Sequence, residues 1–281
     1  MTIRRGFGTM SVRGTVLFSL AAALCYAADP PAPKPVSFIA CPVYRDTNQG
    51  RKSGCWVADD HESGARYDIG GGRAKPQIGH EVLVEGVVAN SPDVCGGTVL
   101  APVYTAVLET RCPAVMLPPE NYPGRAFQVS AKSVLPPMDV ERPLPPPPYE
   151  SQQWVIQFNF QSDFLLYQYS EVILDTAARY IKASGAKRIL VTGYAATKDM
   201  HVSGRTLSEP SALAKTRAAS VAEALRRLGV DPRLMHVSWR KDPEPIASND
   251  GLEEPSKRRV TIRAEMSRRR RRAGRRLAGE F

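Results

Sequence analysis

Cysteine, histidine, carboxylate and arginine are the side chains with which this sequence could do chemistry, and their spacing narrows what that chemistry is. The four histidines, His61, His80, His201 and His236, are scattered, and none forms an H-E-x-x-H or a matched cysteine–histidine pair. No G-x-S-x-G nucleophile elbow occurs. The basic, glycine-rich run Gly70 to Lys75 lacks the G-K-[ST] ending of a phosphate loop and reads as a hairpin loop. Asp59-Asp60 and Glu253-Glu254 are adjacent pairs, so their carboxylates point in different directions on any regular element. There is thus no basis for an enzyme, a metal site or a cofactor. Cys41, Cys55, Cys95 and Cys112 carry a different chemistry. No two stand two to four residues apart, as a tetrahedral zinc site usually requires. An even number in an oxidising compartment predicts two disulfides. Three pairings exist, and the short loops favour Cys41–Cys55 with Cys95–Cys112.

The fifth cysteine, Cys25, belongs to an address. Arg4, Arg5 and Arg13 precede a ten-residue apolar stretch, Thr15 to Leu24, followed by small residues. That is the layout of a secretory signal peptide, residues 1–27, cleaved after Ala27. Leu24 stands where a lipoprotein would need a small residue before Cys25. The apolar stretch is too short for a stable span. The expected place is the periplasm, associated with the outer membrane or cell wall of a Gram-negative bacterium. The whole chain has 281 residues and a net charge of +10, of which +6 sits in the tail Ser267 to Phe281. That tail, with seven arginines and no apolar periodicity, is expected to be disordered. A cytosolic run of this kind would suggest nucleic acid. On an exported chain no nucleic acid is expected, and outer-membrane lipid or lipopolysaccharide is the available anionic partner. A merely solubilising tail is the plain alternative.

The elements that must position any site fall into two blocks. Residues 28–36 form a proline-rich leader. Residues 37–130 alternate short β runs with Gly and Pro, as in Glu81 to Val88, and Thr98 to Glu109 is broken by Pro102. These predict a small all-β domain held by the disulfides, an OB-like or other small barrel. Residues 131–151 include seven prolines between Val134 and Glu150 and read as a semi-rigid polyproline spacer. From Trp154 the pattern becomes mixed. Strands are expected at Trp154 to Phe160, Arg188 to Tyr194, Met235 to Trp239 and Arg259 to Glu265. Helices are expected at Ser170 to Ser184, stopped by Gly185, and from a Ser211 cap to Leu228. The fold class is α+β: the β-domain, the linker, and a C-terminal β-α-β-α-β-β sandwich over residues 152–266.

Six short motifs in that block occur in a telling order. They are Phe158-Asn159-Phe160-Gln161-Ser162, Thr192-Gly193-Tyr194-Ala195, Thr216-Arg217-Ala218-Ala219-Ser220-Val221, Gly229-Val230-Asp231-Pro232, Pro245-Ile246-Ala247 and Lys257-Arg258-Arg259-Val260. Together they resemble the OmpA-like peptidoglycan-binding domain. The resemblance covers about 110 residues, Trp154 to Glu265. It implies a non-enzymatic module that binds the diaminopimelate of the peptidoglycan stem peptide. The family's helix arginine falls on Arg217, whose planar fork suits a carboxylate. Tyr194, Ala196, Thr197, Asp199 and Arg258 fall around it as further ligand-binding positions. A solvated helix arginine is the plain reading of Arg217 without the resemblance.

The sequence also departs from the family's pattern. The ligand aspartate of the family falls on Ala196, the asparagine before the helix falls near Pro210, and Lys257 replaces the asparagine of N-R-R-V. The intervening loop is about six residues longer than usual, and Asp199 or Glu209 within it could supply the missing carboxylate. Two readings follow: a peptidoglycan-binding envelope protein, or an envelope protein-interaction module whose degenerate domain binds a protein partner instead.

Overall fold

The structure, a computed structural model, describes residues 34–48, 54–125, 131–137, 139–140, 142–246 and 251–266. The expected signal peptide, most of the leader and the arginine-rich tail lie outside the described residues. The first strands, β1 (Pro35–Ala40) and β2 (Pro42–Arg45), are one extended run interrupted at Cys41. They are followed by β3 (Cys55–Asp60), β4 (Ala65–Asp68), β5 (His80–Val88), β6 (Thr98–Arg111) and β7 (Val115–Leu117). The sheet order is β1-β5-β6-β4-β3-β2-β7. Because β1 and β2 are continuous in the chain yet lie toward opposite ends of that order, the sheet must curl back on itself. Phe38, Ala58, Ile69, Val82, Val84, Leu100 and Val103 fill the inside of the curl.

Three expectations about this domain need correction. The disulfides are Cys41–Cys112 and Cys55–Cys95. Antiparallel pairing sets Cys55 opposite Arg45 and Pro42 opposite Ala58, so Cys41 lies at the far end of the β2/β3 ladder from Cys55. At about 3.4 Å per residue that gap is too long for a disulfide, however short the sequence loop. Pro102 does not break its strand. The β5/β6 register slips between Gly86↔Val103 and Val88↔Leu100, and Pro102 sits in the slip, where no ladder N–H is needed. The glycine run 70–72 is not a hairpin loop, because β6 lies between β4 and β5.

The second block comprises β8 (Gln152–Gln157), α1 (Tyr169–Ser184), β9 (Arg188–Ala195), β10 (Met200–Val202), β11 (Arg205–Leu207), α2 (Ala212–Arg227), β12 (Met235–Lys241), α3 (Glu253–Lys257) and β13 (Arg259–Glu265). Its four-stranded sheet runs β12-β9-β13-β8, with β12 and β9 parallel and β13 antiparallel to both neighbours. Alternation in β9 buries Ile189, Val191 and Ala195, and the first two, with Ile156, Val260, Ile262 and Ala264, pack with Leu174, Ala177 and Ile181 of α1 and Val221 and Leu225 of α2. Gly185 ends α1 in the left-handed region at φ 62°, which glycine adopts without strain. Ser211 precedes α2 as expected, but its backbone is already helical and its side chain makes no cap bond. The β10–β11 hairpin lies between β9 and α2.

The proline-rich segment behaves as a strap along α1. Arg142 pairs with Asp175 at 2.9 Å and its carbonyl accepts from Arg179, while the Tyr180 hydroxyl donates to the Glu150 carbonyl at 2.8 Å. The two domains meet directly. Leu83 and Glu85 alternate to the outer side of β5, yet both are buried, as are Ile39, Ala106 and Leu108 beside them. Phe160, Val202 and the half-buried Met200 and Leu207 of the second domain cover that face.

Candidate functional site

Arg217 projects from the second turn of α2 into the gap between the end of β9 and the segment that follows β8. Its position is set by packing: α2 lies so close to β9 that a Cβ at Gly193 would meet the Ala214 carbonyl at 2.0 Å. The guanidinium is fully buried, and all five of its N–H groups are engaged. Nε donates to the Ser162 carbonyl at 2.8 Å, one Nη1 proton to the Tyr194 carbonyl at 3.0 Å, and one Nη2 proton to the Asn159 carbonyl at 3.3 Å. The other two terminal donors grip the Glu209 carboxylate, at 2.9 and 2.6 Å. The Phe158 ring stacks beneath, with its centroid 5.2 Å from the guanidinium carbon.

Glu209 is held from its other side as well. The Ala196 N–H donates to Oε2 at 3.0 Å and the Gln161 N–H to Oε1 at 2.9 Å. The site is therefore a carboxylate cradle of four donors, two from a guanidinium fork and two from the main chain. Three backbone carbonyls fix the fork in place. A buried ion pair is stable only when its remaining donors and lone pairs are satisfied in this way. In this structure the carboxylate in the cradle is the chain's own.

The expected site residues distribute as follows. Arg217, Tyr194 and Ala196 come together, Tyr194 and Ala196 through main-chain atoms. Of the two acidic alternatives, Glu209 reaches the arginine, while Asp199 is exposed at the foot of the hairpin. Thr197 faces a different carboxylate: its N–H and hydroxyl donate to Asp242 at 2.6 and 2.7 Å, and the Lys198 N–H donates at 2.8 Å. Burial pushes the Asp242 carboxyl up, but these hydrogen bonds and the Lys198 charge outweigh it and hold the group below its usual range. Arg258 is drawn away from the cradle. Both its terminal nitrogens are committed to Glu85 of the β-domain, and it is 1% exposed. Its neighbour Arg259 alternates to the opposite face of β13 and lies over the Tyr194 ring at 4.8 Å. Burial holds the Arg259 guanidinium below its ordinary pKa, against the opposing pull of Tyr194.

Sequence reasoning missed Asp242 and Glu85. Nothing local marks Asp242, which becomes a loop clamp only because β12 pairs with β9. Glu85 did leave a signal: it is the acid in the middle of the strand run EVLVEGVV, within its fully buried stretch. Among the described residues no group of three or more His, Cys, Asp and Glu side chains gathers as a metal site. Among them no helix is long and apolar enough to cross a membrane.

The second domain is thus a β-α-β-α-β-β sandwich whose second helix carries an arginine gripping the chain's own carboxylate. Residues 157–259, roughly a third of the chain, match the model of the OmpA family, and the C-terminal domain is OmpA-like. Solved structures similar to the chain include the OmpA-like domain of FopA1 from Francisella tularensis, at 21% identity and a TM-score of 0.33, covering 41% of this chain and 71% of that one. The cell wall anchor of the T6SS from Pseudomonas aeruginosa is 22% identical, with a TM-score of 0.33, covering 42% and 83%. The peptidoglycan-associated lipoprotein from Burkholderia pseudomallei is 28% identical, with a TM-score of 0.30, covering 38% and 86%. No curated protein matches the chain.

Proposed function

We propose that this chain is a non-enzymatic cell-envelope protein whose OmpA-like domain binds peptidoglycan non-covalently, taking a stem-peptide carboxylate in the Arg217 cradle. The observation that carries the reading is the cradle itself. Four donors converge on one carboxylate, at a position built from the family's motif residues. Diaminopimelate ends in a carboxylate and an ammonium on one carbon, and its carboxylate has the shape that Glu209 now fills. Asp199, exposed on the adjoining loop, and Asp242, under Thr197, are acids that could receive the ammonium. The match of residues 157–259 to the OmpA family supports this reading. Export by the signal peptide would put the disulfides and the ligand in one compartment. The arginine-rich tail would add attraction to outer-membrane lipid or lipopolysaccharide.

Co-sedimentation with purified diaminopimelate-type peptidoglycan tests the reading, using the intact chain and its Glu209→Ala variant. At least one of the two is expected to pellet, and excess free diaminopimelate to release it. If both stay in the supernatant while circular dichroism shows Glu209→Ala still folded, the cradle is only a structural ion pair. The second reading, a module that binds a protein partner, then stands in its place. The full burial of Arg217 is the observation that favours that alternative.

A further inference from the structure

The cradle is assembled from two segments, and each is pinned to the β-domain by an apolar residue next to its working atoms. In the first segment, Asn159 and Ser162 supply carbonyls to Arg217, and Gln161 supplies an N–H to Glu209. Phe160, between them, is buried against Ile39, Leu83, Ala106 and Leu108 of the β-domain. In the second segment, Glu209 lies two residues past Leu207, which packs into the same cluster together with Val202 and Met200 of the hairpin. Polar contacts reinforce the docking. The Ser203 hydroxyl accepts from the Ile39 N–H at 3.0 Å, and Arg205 reaches both Glu81 and the Thr110 hydroxyl. The segment between β9 and α2 is therefore used twice, once to clasp the β-domain and once to deliver Glu209.

We infer that the docked β-domain is a latch: it holds the β10–β11 hairpin in the place where Glu209 occupies the cradle, and undocking exposes Arg217 to a peptidoglycan carboxylate. The inference rests on the proposed function and concerns the regulation of that site. A ligand that binds only the opened state meets an affinity reduced by the fraction of chains that are open. Coupling then runs both ways. Loosening the dock raises peptidoglycan affinity, and bound peptidoglycan loosens the dock. Glu209 competes as a tethered ligand at high effective concentration, so the docked hairpin keeps the cradle filled.

The test uses the full chain in peptidoglycan co-sedimentation and changes the clasp without touching the cradle. Arg205 is partly exposed and pairs with Glu81, so Arg205→Glu weakens docking by placing two carboxylates together while leaving both cores intact. The expected result is a bound fraction giving an affinity roughly tenfold above the parent chain, within the usual span of coupling between sites. The charge-swapped double variant Arg205→Glu with Glu81→Arg is expected to return to the parent value. Glu209→Ala is the reference for an empty cradle. If Glu209→Ala binds more tightly than the parent but Arg205→Glu does not, the latch is wrong and the peptidoglycan site stands. If none of the variants binds, the site itself is wrong and the latch falls with it.

Discussion

At the scale of single residues, the protein turns on how buried charges are matched. Arg217 and Glu209 share one carboxylate and five N–H groups with no unpaired donor on the guanidinium, which is why a charge pair can be fully buried here. Asp242 is the titrating counterpart. Its carboxylate accepts three hydrogen bonds from the loop that carries Ala196 and Thr197, and its folded pKa lies below the ordinary value. A depressed carboxyl contributes stability that is fully present above the unfolded value of about 3.9 and is lost as pH falls through the folded one. Acid titration of urea unfolding should therefore show stability dropping below about pH 4. In Asp242→Asn that component of the drop should be missing. A titration unchanged by the substitution would show that this clamp does not form.

At the scale of elements, one close approach sets the site. Gly193 on β9 lets α2 settle directly on the sheet, and the same contact aims Arg217 at the end of that strand. A methyl group at this position would meet the Ala214 carbonyl at 2.0 Å and Ala218 Cβ at 2.9 Å. Neither can move without shifting the helix, so Gly193→Ala should destabilise the domain by about 1–3 kcal/mol, the usual cost of overpacking. Thermal unfolding would measure the loss. A variant as stable as the parent would mean that α2 sits farther from β9. The helices themselves were legible in the sequence: α1 and α2 start and stop within two residues of where periodicity, Gly185 and Gly229 put them. The strand carrying Pro102 was not, because a β-bulge is a property of two paired strands and leaves no mark on either alone.

At the scale of the whole molecule, the two domains are joined by more than a linker. Arg258 and Glu85 are paired across the interface, both with almost no exposure. Removing one member of such a pair strands the other charge in a dry interior, at about 3–5 kcal/mol. Glu85→Ala should therefore lower the denaturant midpoint of the chain by a corresponding amount. It should also split unfolding into two transitions as the OmpA-like domain loses its hold on the β-domain. A single transition at the parent midpoint would show that the interface carries no such energy.

The sequence by itself determined the two-block organisation, the α/β order of the second block and the likeness of its motifs. Each of these is written in local periodicity, caps and short motifs, which neighbouring residues dictate. Only the tertiary structure decided which cysteines pair, that Glu209 rather than Asp199 meets the arginine, and that Arg258 serves the domain interface. Those are contacts between segments 8 to 173 residues apart, and strand register and domain docking, not local preference, bring such partners within reach.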